Sequence, residues 1–428
     1  MPERAVIVAG SRTPFARAFA QLHRLDAIEL AKAAVGGLLS QTELKKEDID
    51  AVRWGGVVLP SASPNIAREL AIDLDLPSNA EAMTVTRACA SGLQAVTSGV
   101  ELIERGHAEV VIAGGGDSSS NFEVALPSHV IHAFAPLALG KGMGFGGWMN
   151  ALGQFMPPWK ALPRAPKVAE RSTGEVMGES AEKMAEIHRI TRQAQDELAL
   201  MSQQRAHAAW ESGFLKEEVA PMDVPGGAKL THDTLIRKDT SLEKLAKLRP
   251  AFQEDGTLTA GNSTALTDGA AAVLLMSESK AKALGFQPLA AFKSWAYVGV
   301  DPRDQLLIGP ALAMPLALKR AQLDLEDMDL IDIHEAFAAV VLCCLKAMKD
   351  PAFCKDRLGR SQPLGIVDWD RLNVYGGSIA LGHPFAATGA RMVTTMARGL
   401  HDSPGRKHAL LGICAAGGLG AAAVLERV

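Results

Sequence analysis

The chain has 428 residues, enough for two or three domains with sizeable hydrophobic cores. Apolar residues make up 48% of it and charged residues 21%, a balance that excludes disordered and fibrous proteins. The 44 Lys and Arg against 48 Asp and Glu give a formal net charge of -4, so we expect no nucleic-acid partner. A local basic pocket for a small anion is compatible with that total.

Short apolar runs alternate with amphipathic stretches along most of the chain, the pattern of an α/β protein with buried sheets. The predicted strands are 5–9, 49–59, 110–116, 271–276, 330–333, 409–414 and 421–425, and the predicted helices are 27–39, 64–74, 315–322 and 392–400. Between the two sets the composition changes: 126–166 is rich in Gly and Pro without a clear strand, and 179–210 is charged and helical. We therefore predict an inserted region between two related halves.

The cysteines show no CxxC pair and no metal-ligand spacing, so we expect free thiols in a reducing cytoplasm and no metal site. They are Cys89, Cys343, Cys344, Cys354 and Cys414. Neither a secretory signal nor an apolar run of membrane-spanning length is expected. Any cysteine in an unusual setting is therefore a candidate for chemistry.

Cys89 has such a setting, because it lies among small residues in RACASGL just before a predicted helix. The positive end of a helix favours a thiolate, which would make Cys89 a nucleophile near neutral pH. The alternative is a structural cysteine that packs as a small hydrophobe. Cys414 lies among small residues too, at the end of a predicted strand, which suggests that the two halves are duplicates.

A single histidine, His383, lies between glycines and a proline in NVYGGSIALGHP, an arrangement that fixes a ring on a turn beside a ligand. It could accept a thiol proton, stabilise an oxyanion, or merely cap a loop. Cys414 could exchange a proton with a carbon acid, and His334 could orient water or a partner side chain. Together these residues would place a nucleophile, a base and a second acid on strand ends of one scaffold.

Several segments in a fixed order resemble the thiolase family over nearly the whole chain. They are 12–17 (RTPFAR), RACASGLQAV around Cys89, 256–273 (GTLTAGNSTALTDGAAAV), 334–338 (HEAFA), 373–391 and 414–422. The resemblance implies the thiolase fold, with two similar βαβαβαββ halves in a five-layer αβαβα arrangement. It assigns 1–120 and 251–280 to the N-terminal half, 121–250 to an inserted loop domain that binds coenzyme A (CoA), and 281–428 to the C-terminal half.

The resemblance also implies roles for the catalytic residues. Cys89 would be the acylated nucleophile, His383 its activating base and Cys414 the acid/base at the acetyl carbon. The backbone amides of Cys89 and Ala416 would form one oxyanion hole, and His383 with a water held by His334 would form the other. No resident cofactor is implied, since CoA is a substrate.

For CoA itself, the resemblance places Ser263 and Thr264 beside the pantetheine arm, although ordinary turn capping explains the two hydroxyls equally well. The residues that meet the CoA phosphates are not identified by any motif. The candidates among the basic residues are Arg164, Lys167, Arg171 and Lys244, most of which would be solvated surface charges.

Two departures from the common thiolase pattern point to one branch of the family. His334 stands where most thiolases have Asn, and Ala416 stands where many have Gly. The Ala416 amide remains a donor if its φ is negative, and a ring nitrogen of His334 can hold a water. Both features resemble the β-subunit branch of the bacterial fatty-acid oxidation trifunctional complex, which implies degradative thiolysis of 3-ketoacyl-CoA in β-oxidation.

Other functions and partners stay open at this point. Biosynthetic acetoacetyl-CoA thiolase, a condensing ketoacyl synthase and a non-catalytic CoA-binding scaffold are the alternatives, and Cys414 argues against the synthase. The resemblance implies a homodimer or homotetramer and an α-subunit with hydratase and dehydrogenase activities. The apolar segment 134–159 is interpreted either as a contact with a partner or membrane surface, or as ordinary core packing.

Overall fold

The computed structural model describes residues 3–124, 126–160, 162, 169–224 and 226–428. The chain forms two compact units, one of Met1–Asn121 with Ala169–Val428 and the other of Phe122–Val168. The predicted inserted domain at 121–250 is larger than this second unit, and its boundaries stay a prediction. Two of the basic candidates for the CoA phosphates, Arg164 and Lys167, lie outside the described residues.

Strands and helices alternate through the described residues as the sequence predicts. The strands are β1 Ala5–Arg12, β2 Ala16–Arg17, β3 Ala51–Gly55, β4 Glu81–Val85, β5 Val110–Ser118, β6 Met222–Asp223, β7 Lys229–Leu230, β8 Thr267–Ser277, β9 Ala290–Gly299, β10 Leu330–Ile333, β11 His408–Ala415 and β12 Leu419–Glu426. The helices are α1 Ala27–Thr42, α2 Ile66–Asp73, α3 Ser91–Glu104, α4 Ser128–Ala138, α5 Phe145–Gly153, α6 Met177–Ile187, α7 Arg192–Glu211, α8 Leu242–Ala246, α9 Glu278–Ala283, α10 Pro302–Gln305, α11 Pro310–Ala321, α12 Ala338–Lys349, α13 Pro351–Leu358, α14 Ser378–Leu381 and α15 Ala387–His401.

One large mixed sheet runs through the first unit in the order β10-β11-β12-β9-β1-β8-β5-β3-β4. In the N-terminal half β3 is parallel to β5, β5 is antiparallel to β8, and β8 is antiparallel to β1. In the C-terminal half β10, β11, β12 and β9 repeat those relations. The two halves meet through two residue pairs between β1 and β9. This repetition agrees with the predicted duplication.

Five layers of helices and strands pack around three hydrophobic cores, the middle one of which lies on both sides of the central helices. One core joins α1 and α2 to the outer face of the N-terminal strands, and a second joins α3 and α15 to the inner faces of both halves. The third joins α11 and α12 to the outer face of the C-terminal strands. Neighbouring residues of β5, such as Val111 and Ile112, pack into different cores because successive side chains of a strand point to opposite faces of the sheet. The predicted αβαβα layering is therefore confirmed.

The predicted equivalence of the two cysteine settings is wrong. Cys414 lies in β11, whose counterpart in the N-terminal half is β5, whereas Cys89 precedes α3. The true counterpart of the Cys89 turn precedes α15, where His383 lies. A strand and a helix both bordered by small residues look alike in sequence, and only the pairing of the strands distinguishes them.

The charged stretch 179–210, predicted to be helical, forms two helices. α6 ends at Ile187 and α7 begins at Arg192, with Arg189 between them at φ 49°. The Thr191 side chain accepts a hydrogen bond from the amide of Ala194 and so caps the start of α7. A Thr just before a helical stretch is a common signal for the start of a helix, and Thr191 therefore marks where α7 begins within this charged stretch.

The second unit contains α4 and α5, which contact each other through aromatic rings. Phe134 packs edge-on against Trp148 and Phe155, with centroid distances of 6.3 Å and 5.6 Å. Other apolar side chains of this unit are exposed, among them Phe145 at 83% and Trp159 at 70%. The two interpretations of this segment, a partner or membrane contact and core packing, stay predictions. Among the described helices, none has both the length and the apolar character needed to cross a membrane.

Candidate active site

The turn before α3 holds Cys89 in a fixed backbone conformation. Ser91 accepts a hydrogen bond from the Arg87 amide at 2.7 Å and donates one to the Ala88 carbonyl at 2.6 Å. Ala88 has a φ of 46°, in the left-handed region that non-glycine residues seldom adopt. Side chains with a branched Cβ would be strained at this position, and the small residues that the sequence shows around Cys89 permit the turn.

Residues from both halves of the chain meet at the sulfur of Cys89. The Ala416 amide hydrogen-bonds this sulfur, and the thiol of Cys414 is near enough to interact with it electrostatically. Ala416 is absent from the residues with positive φ, so its amide remains a donor as predicted. It follows β11 and precedes Gly417 and Gly418, both of which have positive φ, and so the chain turns sharply there.

The predicted thiolate at the start of α3 is not what the structure supports. Cys89 is half-buried as a residue, but its sulfur is desolvated, and this raises the pKa of Cys89 to about 12 against the backbone hydrogen bonds from Ala416 and from Cys89 itself. Nearby Asp117 raises this pKa further. Burial also raises the pKa of Cys414 well above its ordinary value. Both thiols therefore keep their protons at neutral pH, and Cys89 needs a base before it can attack.

The imidazole of His383 is suited to be that base. Its Nδ1 shares a hydrogen bond of 2.6 Å with the Thr388 hydroxyl, and the buried Nε2 has no hydrogen-bond partner among the described residues. Burial and the charge of Arg391 lower the pKa of His383 to about 3, so the ring is neutral at physiological pH. A neutral ring whose Nδ1 proton is held by Thr388 leaves a lone pair on Nε2.

His334 lies beside His383, with 4.2 Å between the ring centroids. Its Nδ1 shares a hydrogen bond of 3.0 Å with the Ser378 hydroxyl, and its Nε2 is buried without a partner among the described residues. Burial lowers the pKa of His334 well below its ordinary value, and the charges of His383 and Arg391 add to this effect. The two rings therefore lie side by side, and each has a buried Nε2 without a partner among the described residues.

Asp117 holds the turn that carries His383. Its carboxylate accepts hydrogen bonds from the amides of Ala386 at 2.8 Å, Val57 at 2.8 Å and Val58 at 2.6 Å. α3 approaches the same turn so closely that a methyl group on Gly92 would overlap the Ala386 carbonyl oxygen. The turn is therefore fixed against both β5 and the helix that follows Cys89.

A cavity of about 530 Å³ lies near the histidine segments, although none of Cys89, His334, His383 and Cys414 lines it. Ser263 and Thr264 line it, as does Leu266, which forms a β-bridge with His383. The Thr264 hydroxyl donates to the Ser378 carbonyl at 2.7 Å, and the buried Ser263 hydroxyl has no partner within the described part of the chain. The remaining lining residues include three cations, Arg17, Arg237 and Lys244, and one carboxylate, Asp239, which pairs with Lys244 at 2.6 Å. An anionic ligand with an apolar portion would suit these walls.

The structure thus brings together most of the predicted site residues. Cys89, the Ala416 amide and Cys414 meet at one sulfur, and His334 and His383 pair with each other. The turn after His383 connects the two groups, because its Ala386 carbonyl lies against Gly92 of α3. Lys244 lies on the cavity wall, whereas the predicted candidate Arg171 is exposed and does not line it.

Some residues of the site are missing from the sequence predictions. Thr388 and Ser378 each orient a histidine ring through its Nδ1, and Arg17 and Arg237 line the cavity. Arg17 lies within RTPFAR and Thr388 within the segment 373–391, so the motifs contained them without assigning a role. Among the described residues, no group of three His, Cys, Asp or Glu side chains is arranged to hold a metal ion.

An α/β fold that aims two cysteines and two histidines at one site defines a class of enzymes that transfer acyl groups through a thiol. The thiolase N-terminal domain family matches residues 5–279, and the thiolase C-terminal domain family matches residues 286–427. These two matches span nearly the whole chain. The chain therefore belongs to the thiolase family.

Individual relatives agree with this assignment. A protein named 3-ketoacyl-CoA thiolase from Pectobacterium atrosepticum is 47% identical, and one of the same name from Shewanella loihica is 44% identical; each comparison covers 99% of this chain and 97% of the relative. The crystal structure of human mitochondrial 3-ketoacyl-CoA thiolase matches with a TM-score of 0.83 and 31% identity, over 100% of this chain and 99% of the human one. Bacillus anthracis acetyl-CoA acetyltransferase matches with a TM-score of 0.82 at 31% identity, with the same coverage.

Proposed function

We propose that this chain is a 3-ketoacyl-CoA thiolase, which uses CoA to cleave 3-ketoacyl-CoA into acetyl-CoA and an acyl-CoA shorter by two carbons. The observation that carries the proposal is the meeting of Cys89, the Ala416 amide and Cys414 at one sulfur, together with the paired rings of His334 and His383. The names of relatives at 44–47% identity over the whole chain support the same substrate. The acyltransferase belongs to fatty-acid degradation.

In the first half-reaction the Cys89 sulfur attacks the keto carbon while Nε2 of His383 takes the thiol proton. The amides of Cys89 and Ala416 stabilise the resulting oxyanion. The bond between C2 and C3 then breaks, and its electron pair moves into the enolate of acetyl-CoA. The negative thioester oxygen accepts hydrogen bonds from the protonated His383 and from His334, directly or through a water. Removing one donor of this kind costs about 100- to 1000-fold in kcat.

In the second half-reaction protons return to where they began. The Cys414 thiol protonates C2 of the enolate and is left as a thiolate. The thiolate then takes the proton of an incoming CoA thiol, which attacks the acyl group on Cys89. The Cys89 thiolate that leaves recovers its proton from His383. Every proton is carried by this chain's own side chains, so we expect activity without an added metal or cofactor.

We propose that CoA occupies the 530 Å³ cavity. The pantetheine arm would pass Ser263 and Thr264 to reach the histidines, and Arg17, Arg237 and Lys244 would meet the phosphates. A structure of the human mitochondrial relative in complex with CoA matches this chain with a TM-score of 0.83, which supports a CoA site in this fold. Guanidinium groups suit phosphate oxygens because they donate two parallel hydrogen bonds.

The proposed assembly is a homodimer or homotetramer in the cytoplasm that works with an α-subunit carrying hydratase and dehydrogenase activities. An unpaired sheet edge at β4 supports self-association. The exposed apolar side chains of the second unit, Phe145 and Trp159 among them, are available for a protein or membrane contact. The α-subunit is supported only by the sequence resemblance to the trifunctional branch.

Purified protein mixed with CoA and 3-ketoacyl-CoA substrates of increasing chain length tests the reaction, with loss of the enolate absorbance as the signal. We expect thiolysis, and we expect Cys89→Ala to abolish it. Cys343→Ala, a change in a buried thiol of α12 that contacts the Met184 carbonyl, is the matched control and should keep kcat. CoA binding without turnover would contradict the proposal in favour of a scaffold.

The likeness to an acetyl-CoA acetyltransferase makes acetoacetyl-CoA thiolase the second candidate. Substrate length separates the two, because a degradative enzyme should cleave long 3-ketoacyl chains as well as acetoacetyl-CoA. Turnover restricted to the four-carbon substrate would favour the biosynthetic enzyme.

A further inference from the structure

A buried carboxylate that the mechanism above does not use, Glu335, joins the segments that carry the two catalytic histidines. Its Oε2 accepts from the Ser202 hydroxyl of α7 at 2.6 Å and from the Ile379 amide at 3.3 Å. Its Oε1 accepts from the Asn373 side-chain amide at 2.6 Å. The carboxylate lies so close to Gly377 that a methyl group there would overlap it. Glu335 therefore joins its own segment to two others, α7 and 373–379, which are far from each other in the sequence.

These contacts converge on the hydrogen bond that orients His334. Ser378, which binds Nδ1 of His334, lies between Gly377 and Ile379, and both of these neighbours are tied to Glu335 or to its partner. The Gly377 amide donates to the Ser202 hydroxyl at 3.1 Å, and that hydroxyl in turn donates to Glu335. The backbone on either side of Ser378 is thus fixed by one carboxylate.

The other oxygen of Glu335 acts on the strand that precedes His334. Asn373 bonds both backbone groups of Ile333, accepting from its amide at 2.8 Å and donating to its carbonyl at 3.0 Å. The φ of 45° at Asn373 is a strained conformation, which these bonds and the one to Glu335 stabilise. Glu335 thereby holds the last residue of β10, immediately before His334.

We propose that Glu335 is a positioning residue whose contacts with Ser202, Asn373 and Ile379 keep Nε2 of His334 beside Nε2 of His383 for the enolate oxygen. This proposal rests on the proposed thiolase reaction. It assigns to Glu335 no contact with the substrate and no proton transfer. The effect of losing it is therefore expected at the enolate step, whereas Cys89 and the Ala416 amide, on other segments, keep their geometry.

Glu335→Gln is the informative variant, because glutamine has one acceptor oxygen in place of the carboxylate's two. It cannot accept from Asn373, Ser202 and Ile379 together, and its NH2 group would face an amide donor. We expect kcat for thiolysis to fall by about 10- to 100-fold, the size of effect that a small misplacement of catalytic groups produces. The KM for CoA should stay within about twofold of the wild-type value, since the cavity cations are unchanged.

Two partial reactions separate positioning from a general loss of structure. Exchange of the acetyl protons of acetyl-CoA with deuterated solvent needs the enolate, and we expect it to fall as much as kcat does. Acetylation of Cys89 by acetyl-CoA, followed by mass spectrometry, should stay within about threefold of wild type. Assays at pH 8 keep Glu335 largely ionised, since burial raises its pKa to about 7.

Glu218→Gln is the matched control, because it makes the same change at an equally buried carboxylate. Glu218 binds Thr395 and pairs with Arg12 and Arg398, away from the histidine contacts. It should lower the melting temperature and leave kcat per folded molecule unchanged. If Glu335→Gln does not fold, Ser202→Ala removes a single donor to the same carboxylate, and we expect a drop of about 3- to 10-fold in proton exchange.

Several results would overturn the positioning role. One is a wild-type rate of proton exchange in a folded Glu335→Gln enzyme or in the Ser202→Ala enzyme. Another is a fall of proton exchange in Glu335→Gln that is matched by an equal fall of Cys89 acetylation. Absence of thiolysis in the wild-type protein would instead count against the proposed function, so the two failures are distinguishable.

Discussion

At the scale of single residues, burial drives the thiol and the imidazole toward the same neutral state. It raises the pKa of Cys89 to about 12 and lowers that of His383 to about 3, so the proton stays on the sulfur in the unliganded protein. A thiolate–imidazolium pair would need the opposite order of pKa values. Catalysis then depends on moving the proton only when a substrate is present, which protects the nucleophile between turnovers.

The pH dependence of alkylation checks this order. Because the thiolate is the reactive form, the rate at which iodoacetamide modifies Cys89 should rise about tenfold for each pH unit between 6 and 9, without a plateau. Peptide mapping assigns the label, and Cys89→Ala shows how much comes from the buried cysteines. A rate that is constant from pH 6 to 8 would mean that a thiolate already exists there, and would contradict the raised pKa.

At the scale of elements, the ends of strands and helices supply the catalytic groups, and the segments around α7 and α8 supply the cavity wall. Lys244 lies in α8 and Arg237 in the loop before it. The Arg237 amide donates to Gln203 of α7, whose NH2 group bonds the carbonyls of Leu235 and Ile379. The wall that would hold CoA is thus connected to the helix that contacts Glu335.

Removal of a cavity cation tests the placement of CoA. We expect Arg237→Ala to raise the KM for CoA by about tenfold or more, because a charge-assisted bond to phosphate is lost, with a much smaller change in kcat. Arg171→Ala is the control, since Arg171 is exposed and does not line the cavity. Initial rates at varied CoA concentration give both constants. The same KM in both variants would place the phosphates elsewhere.

The elements also show which parts of the site sequence reasoning can reach. Periodicity locates the ends of strands, and so Cys414 and His334 are predicted where the structure has them. Hydrogen-bonded pairs such as His383 with Thr388, or Glu335 with Ser202, depend on tertiary packing, which the periodicity of the sequence does not predict. The sequence analysis misses Arg17 and Arg237 because nothing in the sequence indicates which of the 44 basic residues line the cavity. The pKa of Cys89 is missed because helix position predicts a direction that burial reverses.

At the scale of the whole molecule, the large sheet has an unprotected edge. β4 is its last strand and pairs, among the described residues, with β3 on one side only. Its sequence EAMTV contains no Pro or Lys, the residues that commonly block an edge, and Met83 on it is 39% exposed. β4 ends at Val85, four residues before Cys89, so whatever covers this edge also supports the nucleophile turn.

A second copy of the chain paired along β4 would cover this edge and extend the sheet across a two-fold axis, where Met83 of each copy lies near the other. We therefore expect the wild-type protein to sediment with at least twice the mass of one chain. Met83→Lys should shift it toward the monomer, because two like charges would face each other across the axis, and should lower thiolysis with it. Ile366→Lys, a control at an apolar loop residue that is 81% exposed, should change neither property. A monomeric wild-type protein, or a Met83→Lys variant of unchanged mass, would exclude pairing through β4.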